Sequence, residues 1–422
     1  MNKPAGVNPH PTSAKNPTGK GGLWHRLTLA AIIGLLLVTS LTGCVSKAPH
    51  EQFIAALKMV DELDYQEYES KMSIRFQSDY PEDQKLYEIF NQVSFAVTTK
   101  LDKEDRRFLL DLDLLYKGEN CGDLTLYADL EKITARSVFL GPKTFCLEWN
   151  DLQQMIHKYY GFQVQIPDYL SLLLETDEQT WEPVELAFYD FFTEYYQDKI
   201  TTGDKQVKLS VIEQGQEKIV PCQELLIKMD QDDFALEEIY RMLQGIMGNP
   251  AVRSLVKDKI TQFITIAKNN GDLATWPVTE EQLIVFRDDL DHRIDRLLAR
   301  MATIIAQIEP DASPTPVIRM DGQVYLDRKG LWRRMVTTQT MEITGPTTGK
   351  GAQSTITIEQ NLINPGQKPV FPELLPTATI NIGQIPVDEW PIIAEDVTIN
   401  FFAQTFINPL IRDIVQLITE SE

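Results

Sequence analysis

Four cysteines and five histidines are all that these 422 residues contain, and that scarcity excludes several chemistries. No two cysteines form a C-x-x-C pair, and the histidines beyond residue 44 (His50, His157 and His292) stand isolated, so neither a zinc site nor a thioredoxin-like motif has its ligands. No H-E-x-x-H and no G-x-S-x-G occurs, and no other catalytic constellation replaces them. The chain reads as a non-enzyme with no metal and no cofactor. After residue 45 no stretch is long and apolar enough to span a bilayer. Bases are short as well, 40 Lys plus Arg against 61 Asp plus Glu, and no basic stripe interrupts the acidic surplus. Nucleic acid is thereby excluded as a partner.

What is present begins at the N-terminus. Residues 1–26 carry Lys3, Lys15, Lys20 and Arg26 with no acid, and LTLAAIIGLLLVTS follows, the layout of a secretory signal. Leu41, Thr42, Gly43 and Cys44 resemble the lipobox of bacterial lipoproteins. That resemblance implies a signal peptide over 1–43, removed so that Cys44 becomes the first mature residue and carries acyl chains. Two or three chains anchor stably where one is marginal. The expected location is the extracytoplasmic face of the cell membrane, with residues 44–50 as a lipidated tether. The competing reading is an uncleaved membrane helix running through Val45. Removal of 1–43 leaves 36 bases against 61 acids, a formal net charge of −25. Such a body repels anionic head groups.

Cys121, Cys146 and Cys222 remain, an odd number in a compartment that permits disulfides. Two readings stand, buried thiols or one bridge, for which Cys146 and Cys222 are the expected pair.

EQFIAALKMVDELDYQEYESK places Phe53, Ile54, Leu57, Val60 and Leu63 on one helical face. From residue 71 the period becomes two, in Met72, Ile74, Phe76, then Val93, Phe95, Val97, then Phe108, Leu110, Leu112, Leu114, Tyr116. Asp111 and Asp113 take the opposite face of the last strand. LTLYAD, ITARSVFL and Phe145, Leu147, Trp149 continue the series with connections too short for parallel crossovers, so an antiparallel meander is expected. Residues 150–200 read as helix and loop with a dense aromatic group, Tyr159 to Tyr196, that serves as core packing, as a lid over an apolar ligand or as a partner surface. Strands return at Val207–Val211 and Leu225–Met229. Helices follow, one ended by Gly248-Asn249-Pro250, another opened by a Thr279/Gln282 capping box and running to Ile308. After the Pro-rich EPDASPTPV, DRKG turns between two strands, TITIEQ and TATINI add more, and FFAQTFINPLIRDIVQLITE is a closing helix broken near Pro409.

The order of lipobox, tether, amphipathic helix, meander and the hairpin VYLDRKGLWRRM is similar to the lipoprotein carrier superfamily that includes LolA and LppX-type lipoproteins. The resemblance spans 51–149 and 317–345 best. It implies a strongly curved sheet wrapped around helices, with space between for acyl chains.

Three tempting motifs read as structure. GPTTGKG at 345–351 has three residues where a phosphate-binding loop needs four, and strands flank it. Asp111 and Asp113 lack the spacing of a calcium loop. RDDLDHRIDRLLAR surrounds His292 with acids, but Arg287 with Asp291 and Asp289 with Arg293 are helical i,i+4 pairs.

The expected architecture is therefore α+β, a curved, half-barrel-like antiparallel sheet covered by amphipathic helices. It divides into an N-terminal α+β part (51–230), a helical segment (231–310) and C-terminal strands with a closing helix that complete the sheet (311–422). The expected function is binding of a lipid or other apolar ligand at the cell envelope, on the face made by Phe108, Leu110, Leu112, Leu114, Leu124, Leu126, Phe145 and Leu147. The alternative is a structural or assembly lipoprotein that engages other envelope proteins.

Overall fold

The computed structural model describes residues 47–174, 178–204, 206–234, 236–307, 317–344, 351–372, 379–386 and 388–421. The signal segment and Cys44 lie outside them, as do 345–350 of the GPTTGKG motif. Pro49–Glu422 forms one compact unit.

Helix α1 (Pro49–Asp61) opens the body. It stops ten residues short of the expected helix, because Tyr65 begins strand β1 (Tyr65–Ser78). The polar-rich YQEYESK fits either period, and pairing of Tyr65–Ser73 with the next strand of the chain on one side and of Glu67–Ser78 with a strand almost 300 residues later on the other decides for the strand. A short helix α2 (Pro81–Phe90), unforeseen in the sequence, precedes β2 (Val93–Asp102), β3 (Arg107–Tyr116), β4 (Glu119–Ala128), β5 (Lys132–Arg136) and β6 (Thr144–Glu148). Each pairs antiparallel with the next, which is the expected meander. A 3-10 turn, Val138–Leu140, interrupts it before β6.

Helices α3 (Trp149–Tyr160), α4 (Ile166–Leu174) and α5 (Glu178–Tyr195) lead to β7 (Ile200–Thr202), β8 (Val207–Glu213) and the long β9 (Gln216–Met229). Within β9, Pro221 has no N–H to give a ladder. It pairs with Lys208 of β8 just past Cys222, where pairing with the next strand in the sheet ends. Four helices follow, α6 (Leu236–Gly248), α7 (Pro250–Asn269), α8 (Glu280–Asp288) and α9 (Leu290–Gln307). Asn249 caps α7 by accepting from Ala251 N, with Pro250 at its first position. The Thr279/Gln282 capping box is formed. The single long helix expected after it is divided at Asp289 into α8 and α9. Leu290, Ile294 and Leu298 of α9 pack with Tyr240, Leu243, Met247, Val256 and Ile260 in a second core. Arg293 pairs with Asp289, as expected; Asp291 pairs with Lys257 of α7, and Arg287 with its neighbour Asp288.

Strands β10 (Val317–Asp327), β11 (Trp332–Thr344) and β12 (Gly351–Ile363) then insert between β9 and β1, and β13 (Thr379–Asn381) lies parallel beside β6. The turn at DRKG is closed by Asp327, whose side chain accepts from Lys329 N, and by Gly330 at φ +86°, a conformation glycine adopts freely. Helices α10 (Trp390–Ile407) and α11 (Pro409–Ser421) end the chain, divided at Asn408, whose side chain accepts from Leu410 N.

The fold is mixed α and β, with a large, mostly antiparallel, open sheet in the order β13-β6-β5-β4-β3-β2-β1-β12-β11-β10-β9-β7 and β8 added to β9. Eleven α-helices accompany it among the described residues. The main core lies where Phe53, Ile54, Ala56 and Val60 of α1 meet Leu225, Ile227, Val324, Leu326, Trp332 and Leu362 of the strands and Tyr195 of α5. Each large apolar side chain fully buried there contributes about 1.5–3 kcal/mol.

The expected Cys146–Cys222 bridge is not formed; Cys121, Cys146 and Cys222 are free thiols. Cys146 faces Thr134 and Asn381 in its ladders, whereas Cys222 faces Val207 and Asp327. Their strands stand near opposite ends of the open sheet. A disulfide needs Cα atoms within about 7 Å.

Candidate apolar binding site

Residues directly opposite one another in neighbouring strands share a sheet face. One row runs Leu362, Tyr68, Thr99, Leu110, Leu126, Ala135, Phe145; the next runs Gln360, Ser70, Val97, Leu112, Leu124. The expected ligand-facing residues Phe108, Leu110, Leu112, Leu114, Leu124, Leu126, Phe145 and Leu147 therefore do lie on a single face. That face continues across β12 and β11 as Ile358, Ile356, Met335 and Met341. The other face carries Glu67, Lys100, Asp111, Asp113, Arg334 and Glu359, among them the pairs Lys100–Glu67 (3.1 Å) and Arg334–Glu359 (3.3 Å).

None of the eight expected residues is fully buried, and Phe108 is 37% exposed. Phe139 approaches this face so closely over Gly122 that a Cβ there would stand 2.7 Å from its ring, and Phe139 in turn meets Phe401 of α10. Further along the face Ile358 is 40% exposed. The polar face is not wholly solvated: Leu109 is buried on it, and Phe371, from the segment after β12, contacts Tyr127 and the Arg107 guanidinium.

Over β1, β11 and β12 the apolar face borders a cleft of about 550 Å³, within the range of small-ligand sites. Its walls are Leu57, Val60 and Asp61 of α1, Val184, Glu185, Phe188 and Tyr189 of α5, and Gln66, Tyr68, Trp332, Met335 and Gln360 of the sheet. Tyr68 stacks on Trp332 with centroids 5.7 Å apart and planes 12° from parallel. Gln66, buried, donates to Val60 O at 2.9 Å and accepts from the Tyr68 hydroxyl at 2.9 Å, so the floor is polar but satisfied. Burial, then the Asp61 charge, pushes the Tyr68 hydroxyl up to about 12. Burial, Asp61, Glu185 and Glu62 push Tyr189 up to about 12. Both phenols are neutral donors at physiological pH.

The aromatic group divides. Phe191, Phe192, Tyr195 and Tyr196 pack on the main core, Phe188 and Tyr189 line the cleft, and Tyr159 and Tyr160 are exposed. Tyr169 instead joins Phe263 and Trp276 and donates at 2.6 Å to the fully buried Asp272. The Trp181 side chain lies outside the described residues. Sequence periodicity did not find the cleft, because its residues come from five elements whose meeting no local pattern encodes; its local traces are the apolar stripe of α1, which includes Leu57 and Val60, and the aromatic group, which includes Phe188 and Tyr189.

Among the described residues no group of His, Cys, Asp and Glu could hold a metal ion, and no helix is long and apolar enough to cross a membrane. No family model matches this chain, and no curated protein matches it. Among solved structures the chain is matched to gp37 (Dip) of bacteriophage phiKZ at 10% identity over 69% of this chain and 91% of that one, with a TM-score of 0.08, a likeness too low to carry any argument.

Proposed function

We propose that this protein is a lipid-anchored, extracytoplasmic lipoprotein, attached through Cys44, whose body binds a lipid or other apolar molecule. One observation carries the reading: an aromatic-walled cleft of about 550 Å³ borders an apolar sheet face on which Phe108 and Ile358 stand exposed. In this reading the sheet curves as in the lipoprotein carriers, α1, α5, α10 and α11 form its partial cover, and the exposed positions Phe108 and Ile358 extend the cleft. Each methylene withdrawn from water gains about 0.8 kcal/mol, so a chain of about fifteen carbons has on the order of 10 kcal/mol gross, before ordering costs. Catalysis has no part in this function.

The test is solvent extraction and mass spectrometry of residues 45–422 purified without the anchor. Near-stoichiometric extractable lipid is the expected result. A folded protein free of lipid and unable to take up a fluorescent fatty acid or alkylamine would overturn the reading in favour of an assembly role.

A further inference from the structure

The two charged residues that line the cleft are both acids. Asp61 ends α1 and Glu185 projects from α5, and no Lys or Arg is among the lining residues. Asp61 has Lys103 at 3.5 Å, a largely exposed pair of small worth. Glu185 has no ion pair or hydrogen bond among the described residues. Behind them stand four aromatic side chains, Tyr68, Trp332, Phe188 and Tyr189, whose ring faces carry negative potential and attract cations. The nearby base Lys58 already occupies such a position, 6.0 Å from the Tyr189 centroid. Both carboxylates contribute to raising the Tyr189 hydroxyl, so their field reaches the wall of the cleft.

From this we infer that the cleft takes an amphiphile with an apolar chain and a cationic, ammonium-type head, the chain against Trp332, Met335 and Leu57 and the head beside Asp61 and Glu185. The inference rests on the apolar-ligand reading and adds the sign of the ligand's charge. A fatty carboxylate of the same chain length gains the same burial but brings its negative charge beside Asp61 and Glu185. A neutral head gains the burial alone. The order of affinity is therefore cation, neutral, anion.

The experiment uses delipidated residues 45–422 and three twelve-carbon probes below their micelle concentrations: dodecyltrimethylammonium, dodecyl maltoside and dodecanoate, titrated calorimetrically at low salt. The ammonium should bind about fivefold or more tighter than the maltoside, with dodecanoate weakest. Glu185→Gln and Asp61→Asn should each shrink the ammonium's advantage and leave the maltoside unchanged, and about 0.5 M salt should do the same. Met335→Arg, checked for folding by circular dichroism, should weaken all three probes. Equal binding of the three, or dodecanoate tightest, overturns the cationic head while the apolar-ligand reading stands. Unchanged binding in Met335→Arg removes the cleft as the site. Failure of all three probes to bind the unaltered protein sinks the apolar-ligand reading as well.

Discussion

The Tyr116 hydroxyl, at the end of β3 and 1% exposed, donates to Asp413 Oδ2 in α11 at 2.8 Å, and Lys117 Nζ reaches the same oxygen at 2.7 Å. This contact ties the last helix to the meander across 297 residues. Tyr116→Phe should destabilise the protein by about 1–2 kcal/mol in urea unfolding. Lys117, then Tyr116, hold the Asp413 carboxyl below its ordinary value. A carboxyl lowered by folding stabilises above its unfolded pKa, and that contribution is lost as pH falls through the lower folded value. Asp413→Asn should flatten this part of the acid limb; an unchanged limb would remove the pair from the account.

Asp102 gives a second acid-sensitive contact. Its fully buried carboxylate accepts from Asp105 N at 2.8 Å and Arg107 at 2.7 Å, with Lys368 at 3.7 Å. Burial would raise this carboxyl, but the Asp105 N–H, Arg107 and Lys368 outweigh it and hold it low. The stabilisation is again complete above the ordinary carboxylate range and lost below it. Asp102→Ala should cost about 2 kcal/mol at neutral pH and progressively less as pH falls below the ordinary carboxylate range, a difference that paired urea titrations measure.

The three body thiols should be slow to alkylate in the folded protein and free once it unfolds. Burial, then Asp327, pushes Cys222 up to about 11, and burial raises Cys146 and Cys121. Thiol counting on unfolded, unreduced residues 45–422 should find all three; a count of one would restore a bridge.

On the apolar face, Leu112→Arg should lower co-purified lipid more than Asp113→Arg. The first places an unpaired charge on the ligand side, the second on the face where Asp113 accepts from Asn120 at 2.6 Å. Equal losses with both variants folded would show that lipid does not use this face.

Cys44→Ala should leave the precursor unprocessed and abolish metabolic palmitate labelling. Persistent labelling would place the acyl chains elsewhere and remove the anchor from the proposed function.

Features set by neighbours along the chain were legible in the residues themselves. The alternation of Phe108 to Leu114 against Asp111 and Asp113 assigned faces that the ladders of β2, β3 and β4 bear out. Asn249-Pro250, Thr279 with Gln282, and Pro409 marked helix ends, which the structure closes with bonds that span two or three residues, from Asn249, Thr279 and Asn408. Period and capping report which side chains share a face and where a helix begins or ends, since both are short-range properties. They carry no record of the partner. That β12 pairs with β1, that β13 runs parallel to β6, that Cys146 and Cys222 stand apart, and that Leu57, Tyr68, Phe188 and Trp332 border one cleft are outcomes of contacts between segments tens to hundreds of residues apart. Even the end of α1 was decided this way: YQEYESK suits helix or strand by itself, and the ladders of β1 against β2 and against β12 supply the hydrogen bonds that settle it.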